Sequence, residues 1–190
     1  MSTVPIGSLM LATTRCAANF VARLSATTEY MKARGVDVSA AVCDDMAVSR
    51  AMANIVGQFR KSDARFLLYV DPLATWHPRT ASWVLRSSLS SGAVLCVSEE
   101  VLHAEERAEV DKRVVDVQSG PAAFVLIPRA VIRSLCEKHP ELAYAEPGSG
   151  RMVDLFGPTV REGILYGETA AFFGRCRDAG FSVRTVQRRS

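Results

Sequence analysis

Phe66-Leu67-Leu68-Tyr69-Val70-Asp71-Pro72-Leu73-Ala74-Thr75-Trp76-His77-Pro78 is the stretch on which the fold turns. Its first five residues are apolar without a break, the length of a strand and far short of the ~20 residues that span a bilayer. A strand apolar at consecutive positions offers a hydrophobic side chain to both faces. Strands of a parallel sheet covered by helices do this. The reading is a buried strand over residues 64–71, ended by Pro72, with Pro78 breaking the loop beyond.

Working outward, strand-like and helix-like segments alternate. Residues 8–13 read as a buried strand. Residues 16–34 read as a helix, with Phe20, Val21, Leu24 and Met31 close to one face and Gly35 placed to cap its end. Residues 36–43 form a second strand. A helix is expected over residues 44–61, with Asp44 and Asp45 in the first turn and Met52, Ile55, Val56 and Phe59 as an apolar stripe. Beyond Pro78 come a short helix (79–87), a strand (92–98) and a charged segment (99–113) read as a solvated surface helix or excursion. Two strands follow at 114–117 and 122–127, then a helix from Pro128 to about 137. The proline-rich segment 139–158 reads as irregular. A last helix (168–179), capped by Gly180, precedes a last strand (181–186). The βαβαβ opening predicts an α/β sandwich with a mainly parallel sheet. The 190 residues suit a single domain over 1–190.

Composition narrows the function classes. Hydrophobic residues at 48% and charged residues at 23% exclude intrinsic disorder for the bulk of the chain. The net charge of +3, with the basic residues scattered, gives no indication of a nucleic-acid partner. Cys16, Cys43, Cys96, Cys136 and Cys176 are far apart and odd in number, unlike a disulfide framework or a zinc site. They read as reduced, small apolar residues. No apolar run is long enough to span a membrane. The first residues carry no basic segment ahead of an apolar one, so the expected location is cytoplasmic.

The opening stretch, a hydrophobic strand running into Asp71-Pro72-Leu73 with Trp76 and Pro78 close behind, resembles the central strand and Asp-x-Asp loop of GT-A-type glycosyltransferases. Other segments fall in matching order. Ser49-Arg50-Ala51-Met52-Ala53 looks like the start of the preceding helix, where relatives carry Ser-Arg-Ala-Arg-Asn. Residues 119–129 resemble the acceptor-side strand leading into a helix. Gly167-Glu168-Thr169-Ala170-Ala171-Phe172 resembles the Glu-Asp-x-x-Phe segment that supplies the catalytic base, and residues 177–183 its end. The similarity covers about residues 8 to 186. It implies a GT-A-like (Rossmann-like) three-layer sandwich and transfer of a sugar from a nucleoside diphosphate sugar to a hydroxyl acceptor.

The departures concern polar groups. Leu73 stands where the family has its metal-binding acid, Thr169 at the usual base position, and Met52-Ala53 in place of Arg-Asn. A divalent cation (Mn or Mg) is therefore not expected at the usual site. The alternative reading is a catalytically inactive GT-A-like module binding a nucleotide, glycan or protein partner; an unrelated α/β nucleotide-binding protein is a third.

In such sheets ligands bind beyond the carboxyl ends of the strands. That rule and the resemblance together select the candidate residues. Glu168 is the expected base, or alternatively an acidic residue favoured by the helix dipole. Asp71 is a catalytic or nucleoside-binding acid, or a loop cap. The resemblance sets Thr13, Thr14 and Arg15 against the nucleoside; Arg15, placed after the first strand, would replace a metal as the diphosphate's counter-charge, or is a surface arginine. Asp44 and Asp45 would hold a cation or ribose, or cap a helix. Arg50 falls in the family's Ser-Arg-Ala segment. Trp76 and His77 would face an acceptor sugar, or pack.

Overall fold

Five apolar residues in a row need cover on two faces, and β3 (Phe66–Val70) has it. The computed structural model describes residues 8–14, 18–45, 47–89, 92–98, 101, 112–118, 120, 122–146 and 150–188. Arg15, Cys16, most of the charged segment 99–113 and residues 147–149 lie outside the described residues.

β3 is third in a seven-stranded sheet. The other six strands are β1 (Ser8–Thr13), β2 (Asp37–Val42), β4 (Val94–Val97), β5 (Lys112–Asp116), β6 (Phe124–Pro128) and β11 (Val183–Arg188). Their spatial order is β2-β1-β3-β6-β4-β11-β5. β1 pairs in parallel with both β2 and β3, and β4 with β11. β6 runs antiparallel between β3 and β4, and β5 antiparallel on β11. Five of the seven strands thus share one direction, while parallel and antiparallel pairings are equal in number.

Helices make the outer layers. They are α1 (Ala18–Lys32), α2 (Val48–Lys61), α3 (Pro78–Leu89), α4 (Arg129–Lys138) and α5 (Glu168–Asp178). The period-2 alternation of the strands sorts side chains between them. Leu9, Leu11, Leu68, Val70, Leu95 and Val97 meet Phe20 and Met31 of α1 and Val84 and Leu85 of α3. Met10, Ala12, Leu67, Cys96, Val125 and Ile127 face α2, α4 and α5. The stripe expected on α2 is buried as read: Met52, Ile55, Val56 and Phe59 are all in the core.

Several boundaries differ from expectation. The helix expected from residue 44 starts at Val48; Asp44 and Asp45 precede it. Asp45 instead accepts a hydrogen bond from the Ala47 backbone N–H (2.9 Å), holding the turn into the helix. Pro128 ends β6 and stands at the N-cap of α4, not inside it. The segment read as irregular contains a 3₁₀ turn (Pro140–Leu142) and the antiparallel pair β7 (Ala143–Glu146) and β8 (Gly150–Val153). A second hairpin, β9 (Thr159–Arg161) and β10 (Ile164–Tyr166), precedes α5. Its loop, Glu162-Gly163, has φ of +51° and +77°, left-handed at both positions as a type I′ turn requires. Of the described cysteines, 43, 96, 136 and 176 are free thiols. Cys96 and Cys176 serve as core residues, and burial pushes the Cys176 thiol up to about 12. No helix among the described residues is long and apolar enough to cross a membrane.

Candidate functional site

Parallel strands bring their carboxyl ends to one edge of the sheet. β1 ends there at Thr13, β3 at Val70 and β4 at Val97, and β6 begins there at Phe124, paired with both Val70 and Val97. Tyr69 is the one polar-tipped residue of β3. Alternation turns its ring to the α2/α5 side, where it packs against the core. Its hydroxyl lies 3.3 Å from Thr14 Oγ1, and either group can donate. Burial raises the phenol's pKa; the Thr14 hydrogen bond works against this, and the charges of Asp71 and Glu168 add to the rise. Tyr69 is therefore a neutral hydroxyl at physiological pH, with two carboxylates in its electrostatic reach.

Glu168 reaches this place through α5. Gly167, in extended backbone, stands at the N-cap, and Glu168 is the first helical residue. Glu168 and Phe172 share a helix face at i and i+4. Phe172 is buried and stacks on Phe156, ring centroids 4.2 Å apart. That stack pins the start of α5 to the loop after β8. The same loop carries Asp154, whose pKa is raised chiefly by burial, with the Glu168 charge adding to it. Backbone hydrogen bonds from Gly157 and Phe156 and the Arg175 charge pull the other way. Asp154 Oδ1 is buried with no hydrogen-bond partner. Arg175 is itself buried and donates to the carbonyls of Leu155 (3.0 Å) and Gly157 (2.8 Å), so it fixes the loop rather than facing solvent.

Asp71 closes β3. Its N–H donates to Ala123 O (2.8 Å), and its Oδ1 accepts from the Leu73 N–H (2.8 Å), forming an Asx turn. The loop-cap role is thus occupied by one of its oxygens. Leu73 projects into solvent, 84% exposed.

The structure puts Thr14 and Tyr69 in hydrogen-bond contact, with Asp71 and Glu168 both acting electrostatically on Tyr69; the other described candidates have different partners. Thr13 is fully buried, and its carbonyl accepts from the Cys43 N–H (3.1 Å). Asp44 is exposed. Asp45 and Arg50 pair with each other through two hydrogen bonds of 2.6 and 2.8 Å. The guanidinium, followed by the Ala47 N–H, lowers the Asp45 carboxyl's pKa. The expected sugar platform at Trp76 is corrected: the ring is 4% exposed and belongs to the core. Its edges meet Phe20 and Phe124 at 5.2 and 5.5 Å, and its indole N–H donates to Thr27 Oγ1 (2.9 Å). His77 caps α3: its Nδ1 accepts from the Arg79 N–H (3.2 Å). Arg15 lies outside the described residues.

Tyr69, Asp154 and Arg175 were not selected from the sequence. Tyr69 stood in the stretch that decided the fold, where its ring counted as apolar and its hydroxyl was not weighed. Asp154 sat in the segment read as irregular. Among the described residues no group of three or more His, Cys, Asp or Glu side chains is placed to hold a metal ion.

No protein-family model matches this chain, and no curated protein matches it. Among solved structures it is similar to A197 from STIV, at 11% identity over 94% of this chain and 81% of that one, with a TM-score of 0.47. That likeness is too low to carry an argument about family or activity.

Proposed function

We propose that this chain is a glycosyltransferase-like protein that moves a sugar from a nucleoside diphosphate sugar to a hydroxyl acceptor, with Glu168 as general base. The observation that carries the reading is the Tyr69–Thr14 hydroxyl pair at the carboxyl end of the central strands, with the Asp71 and Glu168 charges both acting on that phenol. Open α/β sheets bind ligands there. In the step proposed, the acceptor oxygen bonds to the anomeric carbon, its proton passes to the Glu168 carboxylate, and the bond from that carbon to the diphosphate oxygen breaks. Neutral Tyr69 supplies a hydroxyl to orient a sugar or phosphate oxygen. Leu73 cannot ligate a cation, so the diphosphate would depart against a protein cation, the role proposed for Arg15 in place of the metal.

A second reading, a silent module that binds a nucleotide, glycan or protein, is favoured by one observation. The Asp71 carboxylate is already engaged with the Leu73 N–H, in the place where the family's acids face the donor.

Thermal shift with nucleoside diphosphates, with and without manganese, followed by hydrolysis of a nucleotide-sugar panel, separates the readings. The expected result is a shift with nucleotide alone and a hydrolysis rate that falls about 100-fold or more in Glu168→Gln. A shift without hydrolysis of any donor selects the silent module. No shift with any nucleotide sinks the transferase reading and leaves of the second only a module that binds a glycan or protein.

A further inference from the structure

The opposite end of β3 holds a cavity of about 480 Å³. It lies between the last turn of α2, helix α4 and strand β8, and it owes nothing to the site above. Arg60 comes from α2, Arg151 from β8, and Arg129 and Arg133, four residues apart on one helix face, from α4. Glu137 is the one acid in the lining. Four arginines against one glutamate give the cavity a net charge of +3, equal to that of the whole chain.

The four guanidiniums are not equivalent. Arg129 is consumed by the fold: it donates to the carbonyls of Ala64 (2.6 Å), Phe59 (2.7 Å) and Ser62 (2.7 Å) and lies over the Phe59 ring. The guanidiniums of Arg60, Arg133 and Arg151 have no hydrogen-bond or ion-pair partner among the described residues. Like charges gathered with a single acid among them repel one another, a cost that surfaces usually avoid by mixing signs. A bound anion removes it. The remaining wall is apolar: Ile132, Val153, Ala143 and the half-buried Cys136. Arg60 and Glu137 both act electrostatically on the Cys136 thiol, so charged rim and apolar wall are adjacent.

We infer that this cavity binds a small phosphate monoester with an apolar body, the phosphate held by Arg60, Arg133 and Arg151 and the body against Ile132, Val153 and Cys136. Guanidinium forks match phosphate oxygens, three of them suit a dianion better than a carboxylate, and the volume falls in the range of small-molecule sites.

Titration calorimetry on the full chain tests this with phenyl phosphate, inorganic phosphate, benzoate and phenol. Phenyl phosphate is expected to bind about ten-fold or more tightly than inorganic phosphate or benzoate, with no detectable binding of phenol. Arg133→Glu/Arg151→Glu should weaken phenyl phosphate at least about ten-fold, while Arg34→Glu/Arg79→Glu, the same charge change on the far face, leaves it within about two-fold. In the unmodified chain, phenyl phosphate should slow alkylation of Cys136 and leave that of Cys43 unchanged, a readout that does not depend on the variants folding. The inference is overturned by absent phenyl phosphate binding, by equal binding of benzoate or phenol, by binding indifferent to the Arg133/Arg151 change, or by an unprotected Cys136.

Discussion

The two ends of β3 carry opposite chemistry. At the carboxyl end Asp71 and Glu168 both act on Tyr69, Glu168 also acts on Asp154, and Arg175, the cation that acts on Asp154, is already engaged with the loop carbonyls it holds. At the amino end, three of four arginines around the cavity are unpaired. Acids that surround a neutral phenol suit proton transfer and hydroxyl recognition. They do not suit a diphosphate unless a further cation arrives. Phosphate chemistry is better served at the other end. The difference teaches that a sheet edge marks where a ligand can sit, while the charges gathered there decide which ligand.

The comparison breaks first if the carboxyl-end loop is a ligand platform rather than part of the core. Trp76→Ala removes a buried ring with two aromatic neighbours and orphans Thr27 Oγ1. Urea denaturation should show a loss of about 3–5 kcal/mol. Leu73→Ala, three residues away and exposed, should stay within about 0.5 kcal/mol. A Trp76→Ala protein of full stability that had lost only ligand binding would restore the platform reading. At the amino end the next largest effect belongs to Arg129→Met, which removes the guanidinium donor from the carbonyls of Phe59, Ser62 and Ala64, of which Phe59 keeps its bonds from Ser62. About 2–3 kcal/mol is expected from the same measurement, with Arg129→Lys recovering only part, because an ammonium cannot span three acceptors in a plane. Full recovery by lysine would show that charge, not the fork, holds the end of α2.

Legibility in the sequence followed interaction range. β1, β3 and the buried face of α2 were readable because unbroken apolar runs and the i, i+3, i+4, i+7 stripe are local statements about burial. The hairpins β7–β8 and β9–β10 were not. Their strands are three or four residues long, too short for a period to register, and the proline-rich composition around them read as loop. Between the two readings of Trp76, sugar platform or packing, a loop position could not choose; the chain's turn back into the core between Phe20 and Phe124 decides for packing. Glu168 and Asp71 were selected individually, but their common neighbour Tyr69 is visible only once β3 and the start of α5 are set side by side. The arginine cavity lay hidden for the same reason: residues that are scattered along the chain become a cluster when α2, α4 and β8 meet.

The smallest expected effect is the sharpest test of the acidic end. Asp154 has a folded-state pKa above its ordinary value, mainly from burial and then, among the effects acting in that direction, from Glu168. The protonated form is therefore the better folded partner. Stability from this group is fully present below the ordinary carboxyl range and is lost as pH rises through the raised value. Asparagine keeps the shape and an acceptor oxygen but never ionises, and its amide N–H lies in the field of Glu168 without repelling it. Asp154→Asn should thus be more stable than the parent at pH 7, by under about 1 kcal/mol because the carboxyl retains solvent contact. The gap should shrink as pH falls through the carboxyl range, measured by urea midpoints at a series of pH values. In Glu168→Gln the same gap should be smaller at pH 7, since part of the burden on Asp154 is the neighbouring charge. A gap that ignores both pH and position 168 would mean the two carboxylates do not sense each other, and the acidic end would no longer be one site.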